Sequence, residues 1–159
     1  MFRPGMRTYV IPLAAGLALT VSAFLPWVVV NGDVRRGIPD MPGLWIAGLG
    51  MLAAVLATLS LITRKNSRHP LLVVGLLALG IMVLAWRVMP RLAGEHALTV
   101  SQAIAIVEDA PLGAPPSALA GLGIYVGLAA AAVLVAFGLT IVVKRAAAPY
   151  VVVEADDDV

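Results

Sequence analysis

Ahead of the Asp156-Asp157-Asp158 tail, Glu95-His96 and Glu108-Asp109 are the two places where this sequence sets groups able to hold a metal or carry a proton directly side by side. A lone Glu-His pair offers two donors where a metal centre needs three or four, so neither pair makes such a site by itself. The other histidine, His69, stands beside Pro70 and outside any long apolar run, as does His96, whereas a membrane haem needs axial ligands inside its helices. Cysteine is absent, which removes disulfides, thiolate-ligated zinc or iron-sulfur clusters, quinone-linked thiol chemistry and cysteine lipidation. Arg87 and Arg91, four residues apart, share a helix face and have the spacing to clamp a lipid phosphate, but snorkelling to headgroups explains them without a ligand and is the preferred reading. The expectation is a chain with no catalytic residue, no metal and no cofactor. An enzyme here would have only Glu95, His96, Glu108 and Asp109 to work with.

The elements that must position these residues follow from composition. Of 159 residues, 61% are hydrophobic and 13% charged, with a mean hydropathy of +0.99. A soluble domain averages roughly 45 to 50% apolar and about 25% charged, so this composition belongs in a bilayer. No charge interrupts the chain between Arg7 and Asp33, and Tyr9 to Val30 exceeds the roughly 20 apolar residues that cross hydrocarbon. A second span follows at 44–63. A third runs from Leu71 to about Met89, with Arg87 in its last turn, and a fourth occupies 118–143 and stops against Lys144 and Arg145. The expected fold is all-α, an integral membrane four-helix bundle over 1–145 with a mobile acidic tail at 146–159. The basic start of the first span also has the layout of a secretory signal, but its apolar run continues past Ala23 to Trp27, which favours an uncleaved span.

Arg3, Arg7, Arg64, Lys65, Arg68, Lys144 and Arg145 fall on one side of these spans, and Arg35, Arg36, Arg87 and Arg91 on the other. The positive-inside rule then places both termini in the cytoplasm of a bacterial cell, with the protein multi-pass in the plasma membrane. Trp27, Trp45 and Trp86 would all lie at the outer interface as one aromatic belt. The first outer link, 31–42, reads as a short solvated connection rich in turn formers. The second, 90–117, is too long for a structureless loop. Thr99 and Gln102 fit a capping box, and Val100, Ala103, Ile104 and Val107 follow at helical spacing, so a separate short amphipathic helix is expected from about 100 to 109. Ile104 and Val107 would face the bundle's outer end, a partner or an amphiphile.

The spans themselves hold no ionisable side chain, only hydroxyls such as Thr20, Ser22, Thr58, Ser60 and Thr140 that can bond back to their own helix. This argues against a proton-coupled carrier that works through a buried carboxylate. The basic balance, +2 with pI near 9.4, reflects the clustered cytoplasmic charges and offers no stripe for nucleic acid. Helices in lipid associate through small residues at close approach. Gly123, Gly127 and Ala131 in the fourth span, Ala14, Ala18 and Ser22 in the first, and Gly50, Ala54 and Thr58 in the second mark packing ridges, and Pro26 should bend the outer end of the first span by freeing the Ser22 carbonyl.

Phe24-Leu25-Pro26-Trp27 closing a first span, a short Gly- and Asp-bearing link, and Gly43-Leu44-Trp45 opening a second together resemble the small four-span membrane proteins of actinobacteria. The layout over about 1–145 is similar to the tryptophan-biosynthesis-associated membrane proteins of that group. The resemblance implies the four-span fold and carries no activity or functional residue. The functional expectation is a non-catalytic membrane protein acting by contact, as an accessory or assembly subunit in a complex or homo-oligomer among membrane lipids. The alternative is a protein that binds a lipid or small amphiphile, with a groove under 98–110 and Arg87 and Arg91 at its mouth.

The absence of native thiols makes the orientation testable. Ser101→Cys should react with a membrane-impermeant maleimide in intact cells, and Ser67→Cys only after permeabilisation. The opposite pattern would invert the topology.

Overall fold

The computed structural model describes residues 9–63, 68–109, 111 and 114–146. The basic start with Arg3 and Arg7, the link residues Arg64 and Lys65, and the acidic tail beyond 146 lie outside the described residues. Four helices and three short strands occur among those described: α1 (Val10–Ser22), β1 (Pro26–Val30), β2 (Asp33–Arg36), α2 (Met41–Thr63), α3 (Arg68–Glu108), β3 (Ala118–Ala120) and α4 (Leu122–Ala146). The protein is mostly helical, and α2, α3 and α4 are each long and apolar enough to cross a membrane. The first apolar run differs from the expected single span. Its helix stops at Ser22 after 13 residues, and the chain from Pro26 continues as a strand.

The reason lies in Pro26 and the β-branched residues after it. Proline has no N–H to give the Ser22 carbonyl. That oxygen instead accepts from the Leu25 N–H at 3.2 Å and from the Trp27 indole N–H at 2.8 Å. The helix therefore ends where it was expected to bend. Val28, Val29 and Val30 favour an extended backbone, and Asn31 (φ 50°) and Gly32 (φ 93°) turn it back on itself as β2. The link expected to be a solvated connection is in fact half of a hairpin. β1 is the centre of a three-stranded antiparallel sheet ordered β2-β1-β3, with Val29 opposite both Val34 and Leu119. The third strand takes up residues expected at the start of the fourth span, so α4 begins only at Leu122.

The helices pack in the cyclic order α1, α2, α3, α4, each against two neighbours. Contacts of Gly16 and Thr20 with Gly50, and of Gly75 with Leu134 and Met82 with Gly127, run in opposite chain directions, so successive helices are antiparallel. At the α1–α2 crossing the backbones touch: a β-carbon on Gly16 would stand 2.7 Å from the Ala54 nitrogen. Gly123 and Gly127 of α4 face Ser22, Trp27 and Met82 within the same chain. The expected ridge on α4 thus faces inward with Ala131. On α1 and α2 the ridges hold in part: Ser22, Gly50 and Ala54 are buried at contacts, Ala14 and Thr58 are exposed, and the packing faces also take in Ala15, Gly16 and Leu19 and Ala53 and Ala57. Large side chains such as Leu17, Leu52, Leu59, Leu77 and Leu84 point outward. The hydroxyls of Thr20, Ser22, Thr58 and Thr140 donate to carbonyls three or four residues back, as expected, but Ser60 is buried with no hydrogen-bond partner among the described residues.

The third span and the amphipathic helix turn out to be one element. α3 continues through Pro90 for 41 residues, about 60 Å at 1.5 Å per residue. Proline removes one helical hydrogen bond, but β1 and β3 pack against α3, with Gly94 beside Ala118 one turn beyond Pro90, and support the helix near that defect. No new N-terminus exists at Thr99. Its hydroxyl donates to the Glu95 carbonyl at 3.0 Å, the bond of a helix interior, where a capping box was expected. The helix ends at Glu108, where Asp109 enters the left-handed region at φ 49°.

Two glycines in similar sequence settings separate by this packing. Gly123→Ala should lower thermal stability in detergent by about 1–3 kcal/mol through overpacking on Trp27 and Ser22. Gly80→Ala, whose β-carbon would meet nothing within 4 Å, should raise it by about 0.5–1 kcal/mol. Equal melting of the two variants would contradict the assigned contact face.

Candidate functional site

The side chains with chemical capacity gather at one end of the helices, around the sheet. β2 is an edge strand and all four of its residues are exposed, including Arg35 and Arg36. Between β2 and α3 lies a cleft of about 180 Å³. Trp27, Val28, Met89, Leu92 and Ala93 form its apolar floor, and Arg35, Arg36, Asp40 and His96 its polar rim. A second, more open cleft of about 420 Å³ shares Arg35, Arg36 and Asp40 and is completed by Val34, Ile38 and Pro39. Both clefts therefore centre on the same two guanidinium groups.

Trp27 sets the position of this rim. Pairing between β1 and β2 is irregular at Trp27, since Pro26 faces Arg36 while Val28 faces Arg35. This bulge turns the indole inward beside Val28, so that two successive side chains are buried. The indole donates to Ser22 from one edge, and Gly37 and Gly123 close over it so tightly that a β-carbon on either would collide with the ring. The Trp27 carbonyl accepts from Gly121 at 2.7 Å and the Ala23 carbonyl from Ile38 at 3.0 Å, which tie β3 and the β2–α2 link to the same corner. Asn31 fixes the far end of the sheet: its side-chain oxygen accepts from the Ser117 N–H at 3.0 Å, and its own N–H donates to the Ser117 carbonyl at 3.1 Å.

The residues singled out in the sequence are distributed differently. Arg87 and Arg91 are exposed on α3 and line neither cleft, and the Arg87 guanidinium lies 5.8 Å from the centre of the Trp86 ring. His96 does reach the cleft, while Glu95 beside it is exposed outside the lining. Ile104 and Val107 stand on the last turns of α3, beyond the sheet, at 50% and 85% exposure. Glu108 and Asp109 end that projection, and among the described residues no group of three His, Cys, Asp or Glu side chains comes together. The three tryptophans do not form one belt. Trp27 is wholly buried in protein, whereas Trp45 and Trp86 are exposed.

Arg35 and Arg36 were visible in the sequence only as balanced charges in a link. The signal that would have raised them is Asn31-Gly32, a two-residue hairpin turn between a run of valines and Asp33-Val34.

Set against protein-family models, curated proteins and solved structures, the chain matches none of them.

The burial difference among the tryptophans has a measurable outcome. Trp27→Ala should cost about 3–5 kcal/mol of stability in detergent, and Trp45→Ala less than about 1 kcal/mol. A comparable loss in both would remove Trp27 from the centre of the fold.

Proposed function

We propose that this chain is a multi-pass protein of the bacterial plasma membrane, with both termini cytoplasmic, that acts without catalysis as an accessory or assembly subunit through protein contacts. In this reading the helices form a membrane four-helix bundle of the kind found in the small actinobacterial four-span proteins, with the sheet at its outer end. The apolar exterior of α2, α3 and α4 supports the membrane placement, because the large Leu and Val side chains on their outward faces suit lipid and not water. The segregation of Lys and Arg supports the orientation.

The observation that carries the contact role is the far end of α3. Past Ala97 the helix leaves the sheet and holds Leu98, Val100, Ile104, Ile106 and Val107 exposed, the last two at 82% and 85%. In this placement the segment stands outside the hydrocarbon, where such side chains are unfavourable unless another molecule covers them. A second membrane protein that meets the bundle at its outer face would do so. The alternative, lipid or amphiphile handling, draws on the clefts around Arg35 and Arg36.

A photo-crosslinking residue placed at Val107 should give a discrete adduct with a second protein in intact cells. The same probe at Leu59, on the lipid-facing side of α2, should give none. Adducts with lipid alone at both positions would overturn the subunit reading.

A further inference from the structure

We infer that Arg35 and Arg36 bind the phosphate of an anionic phospholipid whose acyl chain lies along residues 41–52 of α2. The inference rests on the membrane placement of α2 proposed above and goes beyond it in naming a ligand and its site.

Two successive arginines on an exposed edge strand, both of which line the two clefts, form the head of the site. Arginine suits phosphate because its planar fork can donate two parallel hydrogen bonds to a pair of phosphate oxygens. Among the described residues neither Arg35 nor Arg36 is engaged in an ion pair. Asp40 is the single carboxylate lining the two clefts, so the rim stays net positive. The hairpin turn at Asn31-Gly32 and the bonds of the Trp27 corner fix the backbone that carries both arginines, so only their side chains need ordering on binding.

The chain groove begins one residue after Asp40. It has a volume of about 430 Å³ and is lined entirely by Met41, Leu44, Trp45, Gly48, Leu49 and Leu52. These positions recur at helical spacing along one side of α2, over about 17 Å at 1.5 Å per residue. Gly48 leaves the middle of the groove open, with nothing within 4 Å of where a β-carbon would stand, and Trp45 rises beside it at 63% exposure. The rim alone would suit any small phosphate, and the groove alone any hydrocarbon chain. The rim ends at Asp40 and the apolar face begins at Met41, the next residue, a succession that suits a molecule carrying both, with the phosphate at the membrane surface and the chain pointing into hydrocarbon.

The test uses full-length protein purified in mild detergent, with thermal stability and native mass spectrometry as readouts. Phosphatidylglycerol should stabilise the protein and remain bound in the gas phase, and phosphatidylcholine should do neither. Arg35→Gln/Arg36→Gln should weaken phosphatidylglycerol binding at least about tenfold, the scale of one lost charge-assisted bond. Arg91→Gln, which removes an outer arginine away from the clefts, should leave binding unchanged. Asp40→Asn should tighten it, a change of sign that a general loss of folding cannot produce. Equal binding of the two lipids, or an equal effect of Arg91→Gln and the double variant, would reduce the site to ordinary boundary lipid and overturn the proposal. Stabilisation by inorganic phosphate as strong as that by phosphatidylglycerol would overturn the lipid assignment in favour of a soluble phosphate. Recovery of the protein outside the membrane fraction would instead remove the placement on which both readings stand.

Discussion

One hydrogen bond, from the Trp27 indole to the Ser22 carbonyl, sits where four parts of the chain meet. Pro26 makes that carbonyl available, the bulge at Trp27 aims the indole at it, and Gly37 and Gly123 permit the β2–α2 link and the start of α4 to close around the ring. Without the bond, a buried carbonyl at the end of α1 would rely on the Leu25 N–H alone, in a setting where an unmet acceptor is costly. The sheet, its edge arginines and the angle at which α4 enters the helical array all take their positions from this corner.

Below the corner, glycine, alanine and serine line the closest helix crossings, where backbones approach until there is no space for a β-carbon, and Leu19, Ile46, Leu71, Met82, Ile124 and Leu134 fill the interior between them. Close approach of this kind gains dispersion contacts over the whole length of a crossing, the source of cohesion that remains when the surroundings are as apolar as the side chains. It also explains why Gly123 and Gly127 are spent inside the chain. Their face is filled by Trp27, Ser22 and Met82, so it offers nothing to a second copy.

The middle of the protein was legible in the sequence. Charge-free runs located α2, the first part of α3 and most of α4, and four-residue spacing of small residues found the inward face of α4. The ends were harder, because local signals there are overruled by contacts distant in the sequence. Pro90 reads as a helix stop, yet the sheet supports the helix across it. Thr99 reads as a cap, yet its hydroxyl bonds within a continuing helix. The apolar run from Tyr9 to Val30 reads as one span because hydropathy is blind to the difference between a lipid-facing helix and a strand covered by protein. On α1 and α2 the far ends of the ridges, Ala14 and Thr58, missed the contact while Ser22, Gly50 and Ala54 met it, since an alanine-rich helix offers several small-residue stripes and only the neighbour selects among them. The cleft went unseen for a related reason: its rim comes from β2 and α3, some sixty residues apart, and it exists only once the hairpin has folded against the helix.

The unbroken course of α3 makes it a strut. Its first half packs against α4 through Gly75 and Met82, the sheet bears on it near Gly94, and most residues of its last turns are exposed. A helix bends far less readily than a loop, and Met89, Leu92 and Ala93 of this same helix form one wall of the cleft whose other wall carries Arg35 and Arg36. One stiff element thus joins the apolar tip at Val107 to the arginine rim.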